Sequence, residues 1–321
     1  MKESCQDREG YLAMLSGLET LSDLYIHKPV PWLGPLRNLV SGKVPGSLLK
    51  PVYNLVRPEA TPMKSPAGDL KLDKLYTRER GPYYFSNEEI AVYTVLFGPG
   101  DKIQDPLVSP DNIHYFIITD QKLREQSLWQ KKDVEDLLPA EIREDSVLCN
   151  RWCKMHPERL FPDYKVSVYI DANILVTSDL TPLIAGLDQF PLTMFRHWFR
   201  NCVYQEIQAC LTQKKASRKM LMMDKDRLER LGIPKHWGLL EAPVIARRHN
   251  DPLCCRIMDE WWEAFCKSAS RRDQIALMDC LWKLQIRPEQ IGILGFNVRA
   301  TRLFIQMGHI ESGKKSSRKK H

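Results

Sequence analysis

Residues 165–176 read KVSVYIDANILV, and they carry the most specific chemistry in the chain. Val166, Val168 and Ile170 alternate with Ser167 and Tyr169, the pattern of a buried strand that delivers Asp171 at its C-terminal end. Open α/β sheets bind ligands at that edge. Asp171 and Asn173 together offer hard oxygen ligands to Mg²⁺ or Mn²⁺, and a bound diphosphate would complete the set. That is the chemistry of a nucleotide-sugar site. The competing reading is a strand-to-turn junction, where Asp and Asn are favoured because their side chains bond the local backbone.

Four further clusters hold polar residues at suggestive spacing. In NRWCKMHP, Asn150, Arg151, Lys154 and His156 precede the DAN strand. Arg151 and Lys154 are three apart, so one helical face presents both cations to a diphosphate, unless they form an ordinary solvated face. In FRHWFRNCVYQE, Arg196, His197, Arg200, Tyr204 and Glu206 mix cations with aromatic rings, which suits a sugar or base platform. In GLLEAPVIARRHND, Glu241 precedes a strand and Arg247, Arg248, His249 and Asp251 follow it. In RRDQ, Asp273 and Gln274 open a helix, with Arg271 and Arg272 beside them to keep the carboxylate ionised. There is no G-x-S-x-G elbow, no P-loop and no G-x-G-x-x-G fingerprint, so serine-hydrolase, P-loop and dinucleotide chemistry lack support.

The elements that must position these groups are legible from residue 90 onward. IAVYTVLF (90–97) and IHYFIITD (113–120) read as buried strands. LTMFRH (192–197) and APVIARRH (242–249) read as two more, and CVYQEIQACL as an amphipathic helix. DPLCCRIMDEWWEAFCKSA reads as a helix with Asp251 as N-cap and Pro252 at its first position, followed by a second helix in RRDQIALMDCLWKLQ. Strands alternating with helices predict an α/β sandwich around a mostly parallel central sheet. Residues 1–80 differ: Pro29, Pro31, Pro35, Pro45, Pro51, Pro58, Pro62 and Pro66 interrupt short apolar pieces, which predicts a helical and irregular N-terminal arm. The expected organisation is therefore an arm at 1–80, a catalytic domain at 81–310 and a basic, disordered tail at 311–321.

Composition narrows the classes. Hydrophobic content of 43% is that of a globular chain, no long uninterrupted apolar stretch appears, and the start MKESCQDREG lacks a signal-peptide pattern. The expectation is a cytoplasmic protein. Nine cysteines show no zinc spacing. The formal charge is +7, but Lys314, Lys315, Arg318, Lys319 and Lys320 sit in the last nine residues, and subtracting those five leaves +2. A nearly neutral body argues against a nucleic-acid partner. The tail is either solubilising or an anchor on an anionic membrane surface, which would make the protein peripheral to the membrane.

Taken in order, YTVLFG, HYFIITD, NRWCKMHPERLFPDYKVSVYIDANILV, FRHWFRNCVYQE, GLLEAPVIARRHND and RRDQIALMDCLWK resemble the TOD1/MUCI70 (DUF616) family of glycosyltransferase-like proteins over about residues 90–290. The resemblance implies a GT-A-like, Rossmann-like nucleotide-sugar-binding sandwich and a glycosyltransferase that moves a sugar from a UDP- or GDP-sugar donor to a glycan or glycolipid acceptor in polysaccharide biosynthesis. It further implies Asp171 and Asn173 as a D-x-D-like metal pair and Asp120 near the nucleoside. His249 would lie near the diphosphate or metal, Arg151, Lys154 and His156 on the donor, and Asp273 with Gln274 near sugar and acceptor. If transfer inverts the anomeric centre, Asp273 would take the acceptor proton. Asn173 departs from the acidic motif and weakens the expected hold on a metal. Two other readings remain: a metal-dependent, ceramidase-like lipid amidase, and a non-catalytic nucleotide-sugar or glycan-binding module on the same fold.

Overall fold

The strand expected around Tyr93 forms as β1 (Ile90–Leu96), with all seven residues buried. A strand covered on both faces needs helices or loops above and below it, and this chain supplies both. The computed structural model describes residues 88–98, 103–188, 190–197, 200–295, 298, 301 and 303–306. The N-terminal arm expected at 1–80 and the basic tail expected at 311–321 lie outside the described residues.

β1 lies between β2 (Ile113–Thr119) and β4 (Val166–Ile170), parallel to both, and β3 (Gln130–Lys131) extends the sheet beside β2. Across β4, β7 (Leu240–Arg247) runs antiparallel, and β6 (Leu192–Arg196) pairs antiparallel with β7 at the outside. The order is thus β3-β2-β1-β4-β7-β6, with only β7 reversed. This reversal matters for function. The C-terminal ends of β1, β2, β4 and β6 share one edge with the start of β7, whereas the end of β7 points to the opposite edge.

KVSVYIDANILV does not continue as one strand. The chain turns at Asp171–Asn173, closed by Ile174 N–H donating to Asp171 O at 2.9 Å, and β5 (Ile174–Val176) leaves the main sheet to pair antiparallel with β8 (Phe304–Gln306). Asp171 is therefore at a strand end and at a turn, so the two readings of the tripeptide describe the same geometry.

One sheet face packs under α1 (Ser146–Met155), α5 (Pro252–Lys267) and α6 (Asp273–Lys283), around Tyr93, Trp152, Tyr169, Trp261, Phe265 and Leu277. In α5 the buried residues Cys254, Ile257, Met258, Trp261, Ala264 and Phe265 recur at helical spacing. Each large one contributes roughly 1.5–3 kcal/mol by leaving water. Asp251 caps α5 through Leu253 N–H and Cys254 N–H, with Pro252 at the first position as the sequence predicts. The other face packs against the 3₁₀ segment at Thr181–Asp188 and against β5 and β8. α3 (Val203–Thr212) and α4 (Arg218–Arg230) form a satellite core with α6, and α2 (Pro157–Leu160) and α7 (Pro288–Ile291) are single turns. The eight described cysteines are free thiols. Among the described residues no helix is long and apolar enough to cross a membrane.

Candidate functional site

The site assembles where α1, β4 and α6 meet. Asn150 Nδ2 donates to Val95 O at 2.9 Å, which lashes α1 to the C-terminal end of β1. One turn on, Lys154 reaches Asp273 Oδ2 at 2.9 Å and Asp171 Oδ1 at 3.7 Å, and Arg151 Nε reaches the same Asp273 oxygen at 3.1 Å. Four of the residues picked out by spacing or resemblance thus converge, although 102 positions separate Asp171 from Asp273 in the sequence.

Exposure differs sharply within the cluster. The Lys154 side chain is 2% exposed and that of Asp273 10%, while Arg151 is 23% and Asp171 39% exposed. Arg151 and Asp171 are therefore the groups that a ligand can reach, and Lys154 with Asp273 forms the buried base beneath them. The Lys154 ammonium also lies 4.8 Å from the Tyr169 ring centroid and 5.9 Å from that of Trp261, over faces that favour a cation. Tyr169 Oη donates to Asp171 Oδ1 at 2.8 Å. Burial, and then the neighbouring Asp171 carboxylate, push the Tyr169 phenol well above its usual range, so it remains a hydrogen-bond donor.

Burial by itself would raise the Asp273 pKa, but Arg151, Lys154 and Arg272 more than offset it and hold the carboxyl far below the usual carboxylate range. The group is ionised, as its flanking arginines predicted, but the partners differ: Arg271 turns away to pair with Asp145, and α1 supplies the cations in direct contact. Asp273 is thus the shared counter-ion of Lys154 and Arg151.

The loop that presents Asp273 is itself built by a buried acid. Asp224 of α4 accepts from Ala269 N–H and Ser270 N–H, both at 2.9 Å, and from Ser268 Oγ at 2.8 Å. These bonds fix residues 268–270 and leave Arg271 left-handed at φ 51° just before α6 begins. Trp261 Nε1 then donates to Asp273 O at 2.8 Å, and Gln274 Nε2 to Leu240 O at 2.7 Å, which ties the helix start to the start of β7. Gln274 is thereby a strut between elements.

Three other expected residues fall elsewhere. Asp120 stands at the same sheet edge, at the end of β2, and both its carboxylate oxygens accept from Gly98 N–H, at 3.0 and 2.9 Å. It shapes the turn after β1, where Gly98 has φ +79°. His156 ends α1, stacked on Trp152 at 4.8 Å between centroids and edge-on to Trp262. It bonds Trp152 O and touches none of the charged cluster. His249 is displaced furthest. Ile170 pairs with Val244 and Ser167 with Arg247, so the reversed β7 carries His249 to the opposite edge from Asp171. From Asp171 back to Ser167, the partner of Arg247, is four residues, about 13 Å at 3.3 Å each, and His249 lies two residues beyond Arg247. There it is buried and bonded through Nε2 to Phe161 O at 2.9 Å, and burial first, then Arg247, pull its pKa down to about 4. The direction of β7 thus keeps His249 apart from Asp171 and Asn173, the pair it was expected to join.

The metal expectation can be tested on the donors. With His249 removed, Asp171 and Asn173 remain. Asn173 is buried, and Asp171 Oδ1 already takes the Tyr169 hydroxyl with Lys154 beside it. Among the described residues no three His, Cys, Asp or Glu side chains converge. One reachable carboxylate beside a lysine ammonium does not fit a protein-built divalent-metal centre.

A second polar group adjoins the first through Leu240. His197 N–H donates to Leu239 O, and its Nε2 lies 3.5 Å from Glu241 Oε1 and 4.0 Å from Glu206 Oε2; Arg200 pairs with Glu206 at 2.6 Å. The cations of the FRHWFRNCVYQE block are thus engaged inside the protein, and Trp198 and Phe199 lie outside the described residues. Tyr169, Trp261 and Asp224 take part in the site without being among the residues to which spacing or resemblance assigns a role. Tyr169 had a signal, because it is two residues from Asp171 and shares its strand face. The other two act across long sequence separations and had none.

A family model described as TOD1/MUCI70, glycosyltransferase-like domain matches residues 77–309. Among curated proteins no relative matches the chain.

Proposed function

Because the chain belongs to the TOD1/MUCI70 glycosyltransferase-like family, we propose that it transfers a sugar from a nucleotide-sugar donor, carrying UDP or GDP, to a glycan or glycolipid acceptor. The observation that carries this reading is the convergence of Arg151, Lys154, Asp171 and Asp273 at the C-terminal edge of the parallel strands. An α/β sheet offers ligands that edge. In this reading the diphosphate lies against the partly exposed Arg151 guanidinium, whose planar donors match phosphate oxygens, and Arg151 stabilises the negative charge that builds on the departing nucleoside diphosphate. Asp171, reachable and held in place by Tyr169, accepts hydrogen bonds from donor-sugar hydroxyls. Asp120 and the turn at Gly98 border the nucleoside side. Asp273 fixes the direction of both cations, as a positioning residue.

The lipid-amidase alternative needs a water-activating site with clustered histidines. His156, His197 and His249 instead occupy the end of α1, the end of β6 and the far edge of β7. Calorimetry with UDP, GDP and a panel of their sugars, alongside a donor-hydrolysis assay, tests the proposal. The expected result is binding that Arg151→Ala weakens about tenfold or more, the loss of one charge-assisted contact of about 1.5–3 kcal/mol. Absence of binding for every nucleotide, with and without added Mn²⁺, would refute it.

A further inference from the structure

We infer that the Lys154 ammonium is a built-in cation, standing where a divalent metal would bridge Asp171 and Asp273, so that the site works without Mn²⁺ or Mg²⁺. The inference deepens the reading above and takes from it only the location of the diphosphate. Three observations carry it. The ammonium reaches carboxylate oxygens of both residues, Asp273 at 2.9 Å and Asp171 at 3.7 Å. A metal bridging the same oxygens would need them at about 2.0–2.6 Å, inside the space that the ammonium fills. Lys154 is also held there from every side: its side chain is 2% exposed, with the Tyr169 and Trp261 rings against the charge. It cannot swing into solvent to admit an ion without opening the interface of α1 with α5 and β4.

The charges close as well. Arg151 and Lys154 face Asp171 and Asp273, two cations against two carboxylates, and Arg272 adds a third positive charge near Asp273. A divalent ion added to this set would meet a neutral to positive site. The same count explains Asn173. Where a metal-dependent motif wants a second carboxylate, this chain places a buried, uncharged amide, since the cation to be balanced is already a side chain.

The test is a Mn²⁺ titration of the full chain followed by the electron paramagnetic resonance signal of free Mn²⁺, with thermal unfolding in parallel. Wild type should show no site tighter than about 1 mM that Asp171→Asn removes, 1 mM being the weak end of carboxylate sites. Lys154→Gln, which removes the one cation that reaches both carboxylates, should gain a site at least about tenfold tighter. Asp171→Asn in the Lys154→Gln background should lose it. If Lys154→Gln folds poorly, Mn²⁺ should raise its Tm while leaving that of wild type unchanged, because an ion that binds only the folded state stabilises it. A sub-millimolar wild-type site abolished by Asp171→Asn would overturn the inference, as would a Lys154→Gln variant with no gain in Mn²⁺ affinity or Tm. Titrations of UDP and GDP in EDTA separate the two proposals. Nucleotide binding that appears only with Mn²⁺ sinks the built-in cation and keeps the donor site; no nucleotide binding under either condition, with the Mn²⁺ results as expected, sinks the donor site and keeps the cation.

Discussion

Asp273→Asn is nearly isosteric, and from sequence alone it is the variant expected to spare the fold while removing a base. The structure predicts the reverse order of effects. The amide withdraws a negative charge from between Lys154 at 2.9 Å and Arg151 at 3.1 Å, in a place where the lysine is 2% exposed. Breaking one side of a buried ion pair costs about 3–5 kcal/mol, because the remaining charge stays buried without its partner. In urea that loss moves the unfolding midpoint down by about 1–2 M for a domain of this size. Replacing both ends removes the penalty, so Asp273→Leu combined with Lys154→Met should fall within about 1–2 kcal/mol of wild type although each single change costs several. Arg151 and Asp171, both partly exposed, then balance each other. The pH dependence follows with its sign. A carboxyl depressed in the folded state gives stability that is full above the unfolded value of about 3.9 and is lost only as pH falls through the far lower folded value, so the Asn deficit should be flat from about pH 5 to 8. Urea unfolding followed by circular dichroism measures all of this. A single-variant loss below about 1 kcal/mol, or a double variant as unstable as the two singles combined, would refute the argument that Asp273 exists to hold the two cations.

Two other perturbations probe the frame around the site. His249 is neutral when folded, with its pKa near 4 against about 6.5 unfolded, so stability is full above about pH 6.5 and falls by about 3 kcal/mol as pH drops toward 4; His249→Gln keeps a donor for Phe161 O and should remove that slope, which unfolding curves at pH 7 and 4.5 would reveal. Gly292→Ala would place a Cβ 2.5 Å from Arg196 Cγ and 2.8 Å from Leu240 Cδ2, so we expect a loss of about 1–3 kcal/mol by overpacking, and a Tm equal to wild type would show that the end of β6 can yield.

Local signals in the chain were enough for much of this protein. Alternating β-branched residues placed Asp171 at a strand end, and Asp251 with Pro252 marked the start of α5, because these features depend on neighbours within one or two turns. The three-residue spacing of Arg151 and Lys154 put both on one helical face for the same reason, and six blocks in order pointed to the family. Tertiary structure alone decided what those residues do. The reversal of β7 is a choice of partner strand, invisible to a period-two pattern that reads alike in either direction, and it carried His249 from the expected site to the far edge. Asp273 read as a helix-start acid kept ionised by Arg271 and Arg272, because Arg151 and Lys154, which contact it directly, lie more than a hundred residues earlier in the chain. Electrostatic character is set by distance and burial in space, so only the packing of α1 over Asp273 made that carboxylate the counter-ion of a buried lysine.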